Sequence, residues 1–205
     1  MPLVILVLCV AGCSGGAGKR STPTTSASTR QVSAPSTAMR HASLADCECA
    51  GGWRVSFDYP QSLDVDPIHV DEHYVQIVGY VSNRKLHDPC RVLPNGKECG
   101  FPLEKLSNGG VLVQWSFAVP VMGVGNGFRD APGAPTVVNG RPAKLSTSSA
   151  SSSVCTRLGG VRTVVAVIGL PQSETVDMLA CLGTRASSEA SAVSAMFRSV
   201  RVNKA

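Results

Sequence analysis

With 205 residues and a formal charge of +5, the chain has room for one ordinary domain with appendages, and too little for a multidomain assembly. The excess charge does not sit where a nucleic-acid binder would carry it. Lys19, Arg20, Arg30 and Arg40 lie early in the chain, and from Cys47 onward fifteen Lys and Arg face thirteen Asp and Glu. A strongly basic folded face is therefore not implied, and no nucleic-acid partner is expected.

Leu3–Ala11 is an unbroken apolar run closed by glycine and serine. A membrane-crossing helix needs about 20 apolar residues, and this run supplies roughly half of that, so it reads as a signal-peptide h-region. Val10-Ala11-Gly12-Cys13, directly behind it, resembles the lipobox of bacterial lipoproteins. That resemblance implies cleavage before Cys13, acylation of its sulfur and a lipid anchor at the extracytoplasmic face of the cell membrane. An ordinary secretory cleavage site and a buried amino-terminal strand are the competing readings. The pattern departs from the family in one respect: no Lys or Arg separates Met1 from the run. Export signals normally begin with one, so a translation start a few codons upstream is expected.

Residues 13–46 contain mainly Gly, Ser, Thr, Ala and Pro, with few large apolar side chains. Such a segment cannot bury enough surface to offset the entropy of ordering, and it reads as a disordered tether. Its basic residues suit anionic lipid head groups, at about 1 kcal/mol for each one near the surface. Residues 47–205 are then a single domain, long enough to bury a real core.

Period-two alternation dominates that domain. Trp53–Tyr59, Tyr74–Val81 and Val111–Val119 each alternate large apolar with polar residues and predict half-buried strands. Asn139-Gly140 between two short extended runs predicts a tight hairpin. Val161–Leu170 is a β-branched run suited to a central strand; Gly169–Ser173 turns the chain and 175–183 returns it. Ser187 reads as a helix N-cap, with Glu189 in the first turn and Val193, Met196, Phe197 and Val200 at helical spacing. Ser199–Val202 predicts a short closing strand. Segments 82–108, 120–135 and the serine-rich Ser146–Ser153 read as loops, and loops of the first two kinds are where binding would lie.

Cys9 leaves with the signal and Cys13 takes the lipid, so six cysteines remain. An even number in an exported chain argues for disulfides in an oxidising compartment, although six allow 15 pairings. Cys90 and Cys99 flank a Pro-Asn-Gly turn that brings them together, and Cys155 and Cys181 both sit near the carboxy-terminal strands. Cys47 and Cys49 are the remaining pair, and a bridge across one intervening residue is strained.

Chemistry-bearing patterns are sparse. His69 and His73, flanked by Asp66, Asp71 and Glu72, have the i, i+4 spacing of a helical metal site. Pro67 and β-branched neighbours place them in extended chain, so no metal or other cofactor is expected. His41 falls in the tether, and His87, like His69 and His73, stands in polar surroundings. No G-x-S-x-G elbow is present, and no catalytic residue is assigned. Gly123-Val124-Gly125-Asn126-Gly127 is followed by "FRDAPGAP", which cannot supply the helix N-terminus that a phosphate loop needs. Met122, Val124 and Phe128, with Trp115, either line a groove or tuck into the core, and the core is the expected place.

"GWRVSFDYPQSLDV" (Gly52–Val65), "VNGRPAKL", Cys155, "LGGVRTVVAVI", "ACLG" and "AVSAMFRSVRV" follow in an order that resembles actinobacterial envelope proteins with a Mog1/PsbP-like domain. The resemblance implies an α+β fold: an antiparallel β-sheet with flanking helices, and a carboxy-terminal helix followed by a short strand. The cysteine-bearing 82–108 insertion departs from that pattern. Such domains are mainly non-catalytic binding or assembly modules. The expectation is a lipid-anchored module for an envelope protein or an apolar small molecule, with the ligand-binding residues unassigned; an extracytoplasmic hydrolase is the alternative.

Overall fold

Strand alternation organises the molecule. The computed structural model describes residues 38–45, 52–72, 74–94, 96–119, 127–150, 153–186 and 189–204. Cys9, Cys13, Cys47, Cys49, His73, Met122, Val124 and Ser187 lie outside them. In chain order the elements are β1 (Met39–Ala45), β2 (Trp53–Pro60), β3 (Asp64–Asp66), β4 (Val70–Glu72), β5 (Val75–Ser82), β6 (Cys90–Leu93), β7 (Gly96–Cys99), β8 (Val111–Ala118), β9 (Ala134–Val138) and β10 (Arg141–Ser149). Then follow α1 (Ser153–Arg157), β11 (Arg162–Gly169), a 3-10 turn (Pro171–Ser173), β12 (Thr175–Leu182), α2 (Glu189–Ser199) and β13 (Arg201–Lys204).

The large sheet runs β3-β5-β8-β12-β11-β10-β9, with β4 also on β5; a smaller sheet runs β1-β2-β13, and β6-β7 is a separate hairpin. The expected α+β fold with helices flanking one sheet is therefore corrected to a β-rich fold. Among the described residues the helices are two, α1 being barely more than one turn. The physical reason lies in the sequence: one stretch alone has helical periodicity, so most of the cover on the large sheet must come from other strands and loops.

On its first face the cover is the small sheet together with α2. Val55, Phe57, Trp115, Val113, Val164, Ile168, Met178, Val193, Met196 and Phe197 share this core. Phe57 of β2 stacks on Trp115 of β8 with ring centroids 4.8 Å apart. Helix α2 carries its predicted stripe inward: Val193, Met196, Phe197 and the following Val200 are all buried. On the second face, Val70, Ile77, Tyr80, Leu106, Leu112, Leu158, Cys155 and Cys181 form a separate core beneath the 83–110 segment and α1.

Two segments read as irregular are ordered. Met39–Ala45, assigned to the tether, is β1, paired with β2 from Met39↔Pro60 to Ala45↔Arg54. Its composition hides it because Leu44 alone supplies a fully buried side chain. Ser146–Ser149, read as loop, extends β10 along β11, where small polar residues suit a largely exposed surface. The 82–108 segment contains the β6–β7 hairpin. The Asn139-Gly140 hairpin is as expected, with φ of 47° and 78° supplying the double left-handed turn that two-residue hairpins require.

Cys90–Cys99 and Cys155–Cys181 are both disulfides, with Cα atoms 4.0 and 5.2 Å apart. They fit an oxidising, extracytoplasmic location. No helix among the described residues is long and apolar enough to cross a membrane.

Two stability measurements test this packing. Phe197→Ala removes a fully buried ring and is expected to cost about 3–5 kcal/mol in urea unfolding. The loops closed by the bridges span 26 residues for Cys155–Cys181 and 9 for Cys90–Cys99. Loop-closure entropy then predicts losses of about 3.5 and 2.6 kcal/mol when each pair is replaced by alanine. Equal or reversed losses would contradict that account.

Candidate functional site

The expected chemistry-bearing residues do not converge. His41 Nδ1 lies 2.9 Å from Asp58 Oδ1 on the exposed side of β1 and β2. His69 and His87 are exposed on separate segments. Asp71 accepts a hydrogen bond from Gln76 Nε2 at 2.8 Å, which uses one of the carboxylates near His69. Among the described residues no group of three or more His, Cys, Asp or Glu could hold a metal. Trp115 and Phe128 do not share a groove. Trp115 is buried in the first core, whereas Phe128 packs over Gly169 and near Lys144 on the opposite face.

One carboxyl group is perturbed. Asp177 of β12 stands opposite Val167 of β11 and Ser116 of β8. Its Oδ1 is occluded and has no hydrogen-bond partner among the described residues. Burial pushes the pKa up to about 6, against a smaller opposing effect from a hydrogen bond donated by the Thr175 side chain. Neither of these ladder neighbours is ionisable, and the burial of the carboxyl group has a direct consequence for folding energetics.

The clearest concentration of function-bearing side chains is at one end of the large sheet. There β5 ends, β8 begins and β12 ends, and Arg84, Lys105, Ser107, Asn108, Gly109 and Arg185 surround an open depression of about 620 Å³. Its frame is built by specific bonds. Ser82 Oγ donates to the Val111 carbonyl at 2.7 Å and accepts from the Arg84 N–H at 3.0 Å. The Asn83 side chain accepts from the Val111 N–H and donates to the Gly109 carbonyl. The N–H groups of Gly110, Arg185 and Gly183 donate to the carbonyls of Ser107, Asn108 and Gly110 respectively. Gly183 permits the close approach: a Cβ there would lie 2.2 Å from the Ser107 carbonyl oxygen.

Three cations from three separate segments thus line one hydrogen-bonded frame, with no carboxylate among the described residues that line the depression. None of the three takes part in the described ion pairs, which are Arg40–Asp64, His41–Asp58 and Arg91–Glu98. The sequence pointed to the 82–108 segment as a place for binding but not to these residues. Arg185 is far from Arg84 in the chain, and the near-balance of charge after Cys47 conceals a local excess.

Asp177 gives a pH-dependent prediction with a definite sign. Its folded pKa exceeds the unfolded 3.8, so between about pH 4 and 6 the folded state holds a proton that the unfolded state has lost. Stability should fall as pH rises through that window and then level off, a loss of roughly 2–3 kcal/mol. Asp177→Asn is expected to be near neutral at pH 4 and stabilising at pH 7.5, as read by urea unfolding. A variant that is destabilised at pH 7.5 would show that the carboxylate has a favourable partner.

Comparison with protein-family models, curated proteins and solved structures finds no match for the chain.

Proposed function

We propose that the chain is a cell-envelope lipoprotein, held to the membrane through Cys13, whose extracytoplasmic domain is a non-catalytic binding module with the Arg84–Lys105–Arg185 depression as its binding surface. The observation that carries this reading is the convergence of three cations, with no carboxylate among the described residues of the lining. Bringing like charges together opposes folding, and the usual relief, an acidic side chain among them, is missing from the lining. A ligand or partner that supplies negative charge would provide that relief.

The surroundings suit such a role. The depression borders the second core, where the 83–110 segment packs with both disulfides. A binding surface on a braced loop loses less entropy on engagement than one on a free loop. The lipid anchor would restrict the module to partners near the membrane, and the basic residues before Arg40 would favour an anionic membrane surface.

Two experiments bear on the two halves of this reading. Cys13→Ser should move the protein out of the membrane fraction or leave it uncleaved; wild-type protein that stays soluble and carries no lipid mass would remove the anchor. Crosslinking and pull-down from membranes should capture a partner with the wild-type chain and lose it when Arg84, Lys105 and Arg185 are all changed to glutamate. Capture that survives this reversal of charge, with the fold intact by circular dichroism, would remove the depression as the binding surface.

A further inference from the structure

The depression is selective in chemistry as well as charge. The five carbonyl oxygens of residues 107–111 each accept a hydrogen bond from within the protein: from Gly110 N–H, Arg185 N–H, Asn83 Nδ2, Gly183 N–H and Ser82 Oγ in turn. Each of these carbonyls thus has one of its two acceptor positions occupied and is turned toward the frame's own donors. The charged residues of the lining, Arg84, Lys105 and Arg185, are donors only, and the Ser107 and Asn108 side chains can donate as well as accept, so donors predominate. A neutral sugar or peptide offers donors and acceptors in comparable number and would leave its donors poorly matched here. An acceptor-rich anion fits.

Among anions, the arrangement favours phosphate over carboxylate. Arg84 approaches from the end of β5, Lys105 from the 103–107 segment and Arg185 from the end of β12. A carboxylate presents two oxygens in one plane and is served by a single arginine fork. A phosphate ester distributes its charge over oxygens pointing in several directions, which suits cations supplied by three separate chain segments. The depression is open to solvent and, at about 620 Å³, has more room than a bare inorganic anion fills.

We infer that the depression formed by Arg84, Lys105 and Arg185 binds a phosphate ester, either a soluble one or the head group of a phospholipid. The inference rests on the reading of this depression as the binding surface and adds the chemical class of its ligand.

The test uses the full chain with its disulfides intact, titrated calorimetrically at constant ionic strength with glycerol 3-phosphate, with acetate, and with dioctanoyl phosphatidylglycerol below its micelle concentration. Saturable binding of glycerol 3-phosphate is expected, at least about tenfold tighter than acetate. Each of Arg84→Gln, Lys105→Gln and Arg185→Gln should weaken it about tenfold, the effect of losing one charge-assisted hydrogen bond. Arg54→Gln, an exposed cation on β2, should leave it unchanged. Melting temperatures of the glutamine variants no lower than that of the wild-type chain would show that the effect is on binding. Tighter binding of the short-chain lipid than of glycerol 3-phosphate identifies the head-group source, and equal binding identifies a soluble ester.

Acetate binding as tightly as phosphate, or phosphate binding indifferent to the three substitutions, would overturn the inference. So would failure of both phosphate probes to bind. If partner capture from membranes still depends on the three cations in that event, the binding surface stands and only the ligand class falls. If capture is also indifferent, both fall together.

Discussion

Burial of β8 and β12 on both faces is the constraint from which the rest of the molecule follows. Alternate residues of β12 enter different cores: Val176, Met178, Ala180 and Leu182 the first, Leu179 and Cys181 the second. Strand β8 is divided in the same way, with Trp115 on one side and Leu112 on the other. A strand so placed must be covered twice, and a one-residue slip in register would exchange its two sets of side chains. The small sheet and α2 provide one cover. The 83–110 segment and α1 provide the other, and because that second layer has little regular structure, its coherence depends on side chains and bridges.

This explains where the disulfides are. The first core is large, contains three aromatic residues of β2 together with Trp115, and closes by packing alone. The second is smaller and includes Cys155 and Cys181, with Cys90 and Cys99 packed against it. Both bridges therefore reinforce the weaker layer. The depression proposed as a binding surface lies in that layer, and its frame is held by hydrogen bonds: the turn that carries Ser107–Gly109 is fixed to Asn83, Gly183 and Arg185.

Strands with large alternating side chains were legible in the sequence, as were the Asn139-Gly140 turn, the α2 stripe and the two bridges. Each is a local pattern with a strong physical cause. The fold class was not, because the resemblance drawn from the carboxy-terminal half supplied flanking helices where this chain uses a second sheet. Strand β1 was hidden because its pairing with β2 is a backbone interaction, to which Met39–Ala45 adds one fully buried side chain, Leu44. The cationic depression was hidden for a different reason. Arg84, Lys105 and Arg185 meet through strand order in the large sheet, and net charge over a whole domain cannot register a local imbalance.

The position of β1 also has a mechanical consequence. Any tension transmitted from an anchored amino end enters the fold at Met39, on an edge strand of the small sheet. Apart from its ladder to β2, that strand is retained mainly by Leu44, by Arg40 over the Tyr59 ring and by an exposed His41–Asp58 contact. The covalently braced layer lies on the far face of the large sheet, outside this load path. Under pull, β1 would yield first, releasing its seven residues while β2 and the cores behind it stay closed. If the amino end is anchored as proposed, the edge strand would act as a mechanical fuse for the domain behind it.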